Sequence, residues 1–345
     1  MRPITKTVTE KRKILVTGAS GFVGGALLRE LQNDQRFEVY GVIKSRREYD
    51  TDSHWGAEKI FRGDISDSGI LRISEDLKQA DIVVHAAGLA HQFGRVEKDE
   101  FRRVNVLGTE NVCRLAQRIG AEHFVLISSV AVYGDYGATE IDETFACEPS
   151  GFYAESKLDS ESLAREFCER NKIRLTILRL ATVVGEGDRG NTARLITLID
   201  KGRFFWVGNG GNKKSLIYKR DAAKGIVKAL ETNGAERLEI YNLTGEAVSM
   251  REIVRAISSA LSKKTPRMKV PEKILRGFLR AGQTGISKGF LKKLEKTLDR
   301  WLSDDIFSGR KFYEKFQYKP GTTVPEALKK QVDYYLNGKK DKKSE

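Results

Sequence analysis

The strongest constraint on this 345-residue chain is a glycine-rich turn set between a short apolar strand and an apolar-faced helix. Lys13-Ile-Leu-Val-Thr17 reads as a buried strand, Gly18-Ala-Ser-Gly-Phe-Val-Gly24 as the turn, and Phe22 to Gln32 as the helix it opens. The same alternation then repeats. Strands are expected at Glu38 to Ile43, Glu58 to Arg62, Asp81 to His85, His123 to Ile127 and Arg174 to Arg179, and a long helix from Pro149 to Asn171. Strands that alternate with helices pair in parallel and carry their crossover helices on both faces. The expected fold is therefore α/β, a doubly wound parallel sheet of the Rossmann type.

After Arg179 the pattern breaks. Ala181 to Asn191 and Phe204 to Lys214 read as loops. Helices are expected at Asn191 to Lys201, Asp221 to Glu231 and Ser249 to Leu261, and a late strand at Leu238 to Leu243. Residues 10–180 form the expected first domain, to which 221–245 returns. Residues 181–220 and 246–335 form a smaller C-terminal substrate-binding lobe, and 336–345 a disordered basic tail.

Composition excludes some classes. Hydrophobic residues make up 40% of the chain, too many for a disordered protein, and no apolar run is long enough to span a bilayer. The first ten residues lack an apolar signal core, and Cys113, Cys147 and Cys168 form no CxxC pair. A reduced, cytoplasmic protein is expected. The net charge of +14 is uneven: residues 261–345 hold 22 Lys+Arg against 10 Asp+Glu. Such an excess suits a local acidic partner or a solvated face, not binding of nucleic acid by the whole protein. Within it Ile286, Phe290, Leu291, Leu294, Leu298, Trp301 and Leu302 recur at helical spacing among lysines. That face could lie on an anionic membrane or pack on the smaller lobe or a second subunit.

The turn has a specific use. Gly18 permits the tight bend, Gly21 lets the backbone approach a pyrophosphate, and Gly24 allows close helix–strand packing. The helix N-terminus adds unpaired N–H groups. Ser20, Phe22 and Val23 complete the expected dinucleotide cradle. Asp64, followed by Ile65, ends the third strand, where its carboxylate could accept from an adenine amino group; capping a helix is the alternative. The second strand runs into Lys44-Ser-Arg46-Arg47 instead of ending in an acid. Lys44 and Arg46 would welcome a 2′-phosphate, so the expected cofactor is NAD(P), with NADP(H) favoured.

Tyr153-Ala-Glu-Ser-Lys157 carries the chemistry. Four residues bring phenol and ammonium onto one helix face. A phenol near pKa 10 is a poor base at neutral pH, and a neighbouring ammonium is expected to lower it. Tyr153 would exchange a proton with a substrate oxygen while hydride moves to or from a nicotinamide. The Ser129 hydroxyl would orient that oxygen, and Lys157 would also hold the nicotinamide ribose. His85 reads as a packed histidine, and with only His91 as a spaced partner a metal site is rejected. Asn105, inside a helical pattern, could brace the helix near this site.

These residues resemble the extended short-chain dehydrogenase/reductases, and more narrowly the NAD-dependent epimerase/dehydratase branch that works on nucleotide sugars. The similarity covers about residues 12–262. It rests on the turn at 17–24, Gly63-Asp64, His85-Ala-Ala-Gly88, Val104-Asn-Val-Leu-Gly-Thr109, Ile127-Ser-Ser-Val-Ala-Val-Tyr-Gly134, Tyr153 to Lys157 and Leu178-Arg-Leu-Ala-Thr-Val-Val-Gly185. The resemblance implies Ser129, Tyr153 and Lys157 as the catalytic set, Ser129 being preferred to Ser128 because it stands three residues before Val132-Tyr-Gly134. It implies cofactor contacts at Ala86, Ala87, Gly88 and Asn105 and a homodimer. In the second lobe it implies nucleotide-sugar contacts at Thr182, Asn191, Phe204, Lys214 and Tyr218. Val130-Ala131 replace the Asp-Glu pair of relatives that eliminate water, which argues against 4,6-dehydration. Thr182 stands where many 4-epimerases have Asn. The implied activity is epimerisation or reduction at C4 of a UDP-hexose, in surface-polysaccharide precursor synthesis; a non-catalytic dinucleotide-binding scaffold is the contrasting possibility.

Overall fold

In a computed structural model of the chain, β1 (Arg12–Thr17) is buried along its last four residues and runs between two parallel neighbours. The residues described are 11–44, 57–90, 97–134, 137, 139–231, 236–281, 295 and 298–344. The chain divides into two compact units, one of residues 1–132, 149–179 and 223–241, the other of 133–148, 180–222 and 242–345. The sequence had assigned 133–148 to the first domain. Tyr133 instead belongs with the second unit, where its hydroxyl donates to Asn242 at 2.8 Å and its ring stacks on Phe307.

The first unit is built on a seven-stranded parallel sheet. Its strands are β1, β2 (Phe37–Ile43), β3 (Lys59–Arg62), β4 (Ile82–His85), β5 (His123–Ser129), β6 (Arg174–Leu180) and β10 (Leu238–Leu243), in the order β10-β6-β5-β4-β1-β2-β3. All the expected strands are present. β1 pairs with β2 on one side and β4 on the other, so the strand order reverses beside it. In such sheets ligands bind outside the carboxyl ends of the strands at the point where the order reverses. The register aligns Thr17 with His85, and His85 with Leu126, so the segments after β1, β4 and β5 leave the sheet together.

Helices α1 (Phe22–Leu31), α2 (Ile73–Asp76), α3 (Lys98–Phe101), α4 (Gly108–Arg118) and α5 (Phe152–Arg170) accompany these strands. Arg102–Leu107, between α3 and α4, is a π-helical stretch. Leu15, Val83, Phe124, Leu126 and Ile177 of the sheet pack with Val112, Leu115 and Ala116 of α4 and Ala164 and Cys168 of α5 in one apolar core. β-branched residues suit the central strands because both faces are covered.

The second unit has its own core. A three-stranded sheet orders β11 (Ala247–Ser249), β9 (Lys213–Tyr218) and β7 (Thr182–Val184), and β8 (Trp206–Val207) pairs with β12 (Lys269–Val270). The two segments read as loops thus contain β7, β8 and the start of β9. These strands are two to six residues long, too short for a period-two signal. The unit's helices are α6 (Asn191–Asp200), α8 (Met250–Ala260), α9 (Glu272–Ala281), α10 (Arg310–Phe316) and α11 (Val324–Ser344), whereas α7 (Lys219–Leu230) belongs to the first unit from residue 223 onward. Ser249 and Glu252 form a capping box at α8, which fixes its start where the sequence predicted it. The tail expected to be disordered instead continues α11 to Ser344. Lys339 on that helix bonds Asp200 of α6, an anchor that composition does not reveal.

Candidate active site

The turn after β1 is shaped by its glycines. Gly18 has φ +70°, a region L-residues avoid, and a Cβ there would lie 2.6 Å from the backbone nitrogen of Ala87. A Cβ at Gly24 would lie 2.1 Å from the Gly18 carbonyl oxygen. The turn therefore closes against the segment after β4, with the first turn of α1 seated on its own backbone. Gly21 caps α1 without a side chain, and no acid occupies the first turn, so Phe22 and Val23 begin a helix end suited to an anion. Ser20 lies inside the same turn. These features fit the pyrophosphate of a dinucleotide.

The segment after β4 is braced from below. Thr17 and Thr109 bracket the buried His85, their hydroxyl oxygens 2.7 Å from Nδ1 and 3.1 Å from Nε2. Thr109 gives its own proton to the Asn105 carbonyl, so Nε2 must donate to it and Nδ1 must accept from Thr17. Burial, helped by the Lys157 charge, holds His85 neutral with a pKa down to about 3. It is the packed histidine the sequence suggested. His91 lies outside the described residues. Asn105 clamps the chain beyond Ala86, Ala87 and Gly88: its Oδ1 accepts from Leu89 N–H at 2.7 Å, and its Nδ2 donates to the Leu89 carbonyl and to Ser156. Ser156 precedes Lys157 on α5, so Asn105 ties the β4 segment to the helix of Tyr153 and Lys157.

Asp64 and Lys44 hold each other, Nζ to Oδ2 at 2.9 Å. Asp64 also accepts from the backbone and hydroxyl of Ser66. Burial pushes its carboxyl up, but the bonds from Lys44 and Ser66 more than offset this and keep it below the usual range. Lys44 remains largely exposed, so this pair is a weak surface contact. Arg46 lies outside the described residues. Ile65 places its side chain in the core against Gly108.

Strand geometry separates the two serines that end β5. Successive side chains point to opposite faces. Ser128 is buried and donates to Glu161 Oε1 at 2.5 Å. Ser129 is half-buried, accepts from Ala131 N–H at 3.2 Å, and hydrogen-bonds the Tyr153 phenol. Tyr153 also meets Phe101 edge-on, with centroids 6.1 Å apart. Lys157 is buried one turn later and donates to the Ile127 carbonyl at 2.6 Å. The structure thus brings Ser129, Tyr153 and Lys157 together.

Their protonation differs from expectation. Burial raises the Tyr153 pKa, and the Ser129 bond only partly opposes this. Burial also lowers Lys157 to about 8, with the Glu161 carboxylate acting the other way. The ammonium does not make the phenol acidic here, because its N–H is directed at the Ile127 carbonyl and desolvation dominates both groups. The resting pair at neutral pH is phenol and ammonium.

Sequence reasoning missed the support beneath this set. Glu161 and Arg179 form a buried pair, with Nη2 to Oε2 at 2.7 Å and Nε to Oε1 at 3.1 Å. The signal was present: Glu161 follows Lys157 as Lys157 follows Tyr153, four residues on, along one face of α5.

The sequence model of the NAD-dependent epimerase/dehydratase family matches residues 14–244, which include the turn, the Asn105 clamp and the Ser129–Tyr153–Lys157 set. This chain belongs to that family. Its members are enzymes of the extended short-chain dehydrogenase/reductase type. An N-acetyl-α-D-glucosaminyl-diphospho-ditrans,octacis-undecaprenol 4-epimerase of Escherichia coli O157:H7 is 33% identical over 261 residues, 75% of each chain. A UDP-glucose 4-epimerase of Vibrio cholerae is 28% identical over 334 residues, covering 94% of this chain and 96% of the relative. Among solved structures, the UDP-glucuronic acid 4-epimerase of Bacillus cereus in complex with NAD superposes with a TM-score of 0.74 at 23% identity. It covers 94% of this chain and 99% of its own, and shares the fold.

For a member of this family the second unit departs from the expected sugar contacts. Thr182 starts β7 and Asn191 starts α6, both exposed. Phe204 is only 6% exposed and packs edge-on to Trp206 at 5.0 Å, so it is core and cannot lie along a base. Lys214 is engaged by Asp305 at 2.7 Å and by the Arg300 carbonyl at 2.8 Å. Tyr218 is buried; its hydroxyl donates to Glu186, and burial with that carboxylate pushes its pKa up to about 12. All three are engaged within the unit, and a motif-based reading cannot see the partners of Lys214, 86 and 91 positions on, or that of Tyr218, 32 positions back.

Proposed function

We propose that the chain is an NAD(P)-dependent epimerase acting at C4 of a diphosphate-linked hexose, a UDP-hexose in the first instance. The observation that carries this reading is the hydrogen-bonded Ser129–Tyr153 pair with the Lys157 ammonium one turn away. A bound nicotinamide would supply hydride exchange with the sugar carbon, held by the turn from Gly18 to Gly24 with Ala86, Ala87, Gly88 and Asn105 beside it. Tyr153 would first release its own phenolic proton to solvent, which the positive ring of a bound oxidised nicotinamide would favour; as the phenolate it would take the proton of the C4 hydroxyl as that carbon is oxidised and return it on reduction. Ser129 hydrogen-bonds the same oxygen and shares its developing charge. Lys157 keeps a positive charge beside the phenol during the proton exchange. Thr182 and Asn191 remain available in the second unit for sugar or diphosphate.

The names of the relatives support epimerisation over net reduction. Lys44 pairs with Asp64 at the surface, and a 2′-phosphate would have to compete with that carboxylate for it. The Escherichia coli relative's name adds a polyprenyl diphosphate as a second class of sugar carrier.

The test is direct. The purified protein is incubated with UDP-glucose or UDP-N-acetylglucosamine and no added nucleotide, and the sugar is followed by proton NMR. Appearance of the C4 epimer supports the proposal. NADPH consumption with a 4-keto sugar, and no epimer otherwise, replaces it with the reductase reading. Tight cofactor binding with neither reaction favours the non-catalytic scaffold.

A further inference from the structure

Among the described residues, the two most exposed large apolar side chains are Ile274, 63% exposed, and Met268, 59% exposed. They stand six positions apart on one segment of the second unit. That segment, residues 263–277, carries six cations and a single carboxylate. The carboxylate, Glu272, is engaged by Arg276 at 2.7 Å. Lys263 is likewise held by Asp200. Lys264, Arg267, Lys269 and Lys273 are exposed and take part in no ion pair among the described residues.

The segment is firmly held from behind. β12 pairs with β8, Trp206 N–H donates to the Met268 carbonyl at 2.8 Å, and the Trp206 indole donates to the Pro266 carbonyl at 2.8 Å. On α9, Leu275 packs with Val207, Leu298 and Leu302. Of the apolar helical run expected from 286 to 302, residues 286, 290, 291 and 294 lie outside those described; Leu298, Trp301 and Leu302 face the unit's own packing. Met268 and Ile274 are thus exposed by a fixed scaffold. No helix among the described residues is long and apolar enough to cross a membrane.

We propose that the segment from Lys264 to Gly277 is a docking surface for an anionic lipid bilayer. Four uncommitted cations would face the headgroups while Met268 and Ile274 enter the boundary between headgroups and acyl chains. Exposed apolar side chains interleaved along the chain with cations of one sign, unpaired among the described residues, are the combination an anionic bilayer interface favours. The surface holds whatever the enzyme's substrate proves to be.

The full chain is tested by co-sedimentation with vesicles of phosphatidylcholine alone and of phosphatidylcholine with phosphatidylglycerol. Binding is expected to the anionic vesicles only, and to weaken as salt rises. Each cation near the surface contributes on the order of fivefold to partitioning. Replacing Lys264, Arg267, Lys269 and Lys273 together by Gln should therefore lower it by roughly two orders of magnitude or more. Met268→Ser with Ile274→Ser should lower it about tenfold or more. These side chains are exposed and outside the proposed catalytic set, so epimerase turnover on a soluble nucleotide sugar and the circular dichroism spectrum should be unchanged. No binding to anionic vesicles at low salt overturns the proposal. So does binding that survives both variants, or a fall in molecular mass on light scattering when the apolar pair is replaced, which would assign the face to a second copy.

Discussion

The buried Glu161–Arg179 pair makes a quantitative prediction. Glu161 is fully buried and the Arg179 side chain 3% exposed; their two hydrogen bonds, with a third from Ser128, satisfy the carboxylate. The nearest other cation, Arg165, is 3.9 Å away. Arg179→Met removes the main partner and leaves a carboxylate in the core. Breaking such a pair costs about 3–5 kcal/mol, against a whole-domain stability of about 5–15 kcal/mol. Removing both charges, Glu161→Leu with Arg179→Met, leaves only the Ser128 hydroxyl without its acceptor, at about 1–2 kcal/mol. In the cycle of wild type, the two single variants and the double variant, the double variant should therefore be about 2–3 kcal/mol more stable than Arg179→Met alone. Urea unfolding followed by circular dichroism, with amide exchange of β5 and α5 to localise the loss, measures all four corners. A single variant within 1 kcal/mol of wild type would refute the reasoning. A double variant as unstable as the single one would also refute it, because the cost would then lie in packing and not in charge.

Other consequences follow from the same geometry. His85 is neutral when folded, with a pKa near 3, and protonates near 6.5 when unfolded. The unfolded chain binds the extra proton between those values, so stability falls as pH drops from 6.5 to 3, by up to about 5 kcal/mol for this group; His85→Gln should flatten that slope, and an unchanged slope would remove His85 as its source. Lys157 is charged and buried with a pKa near 8, against 10.5 when exposed. Stability should therefore rise between pH 8 and 10.5, and Lys157→Met should abolish this rise while ending turnover; a persisting rise counts against the assignment. Gly18→Ala meets backbone at 2.6 Å with φ +70° and should lose more than 2 kcal/mol together with dinucleotide binding, whereas Gly120→Ala, at φ +65° with nothing within 4 Å, should lose only about 1 kcal/mol and bind normally. Equal losses in the two melting curves would contradict the close-approach argument.

The first unit was largely legible in the sequence because its signals are local. Buried parallel strands are short β-branched runs, and the Gly18, Gly21 and Gly24 spacing is dictated by contacts within one strand–turn–helix. Spacing on α5 likewise placed Tyr153 and Lys157 on one face. What stayed hidden depends on partners far along the chain. The sequence could not show that Lys44 pairs with Asp64, that Lys214 is held by Asp305, or that Phe204 packs against Trp301. Nor could it give the sign of the Tyr153 shift, since spacing reports proximity to an ammonium but not the desolvation that outweighs it. The strands of the second unit were missed because two to six residues carry too little periodicity to separate from loop.

The account rests on Tyr153 as the group that moves the proton at C4. The most direct measurement compares wild type with Tyr153→Phe, scoring C4 epimer formed per minute beside the dinucleotide released on denaturation. Loss of turnover by at least about a hundredfold with cofactor content unchanged is the expected result. Turnover within a few fold of wild type, in a variant that still holds its dinucleotide, would contradict it.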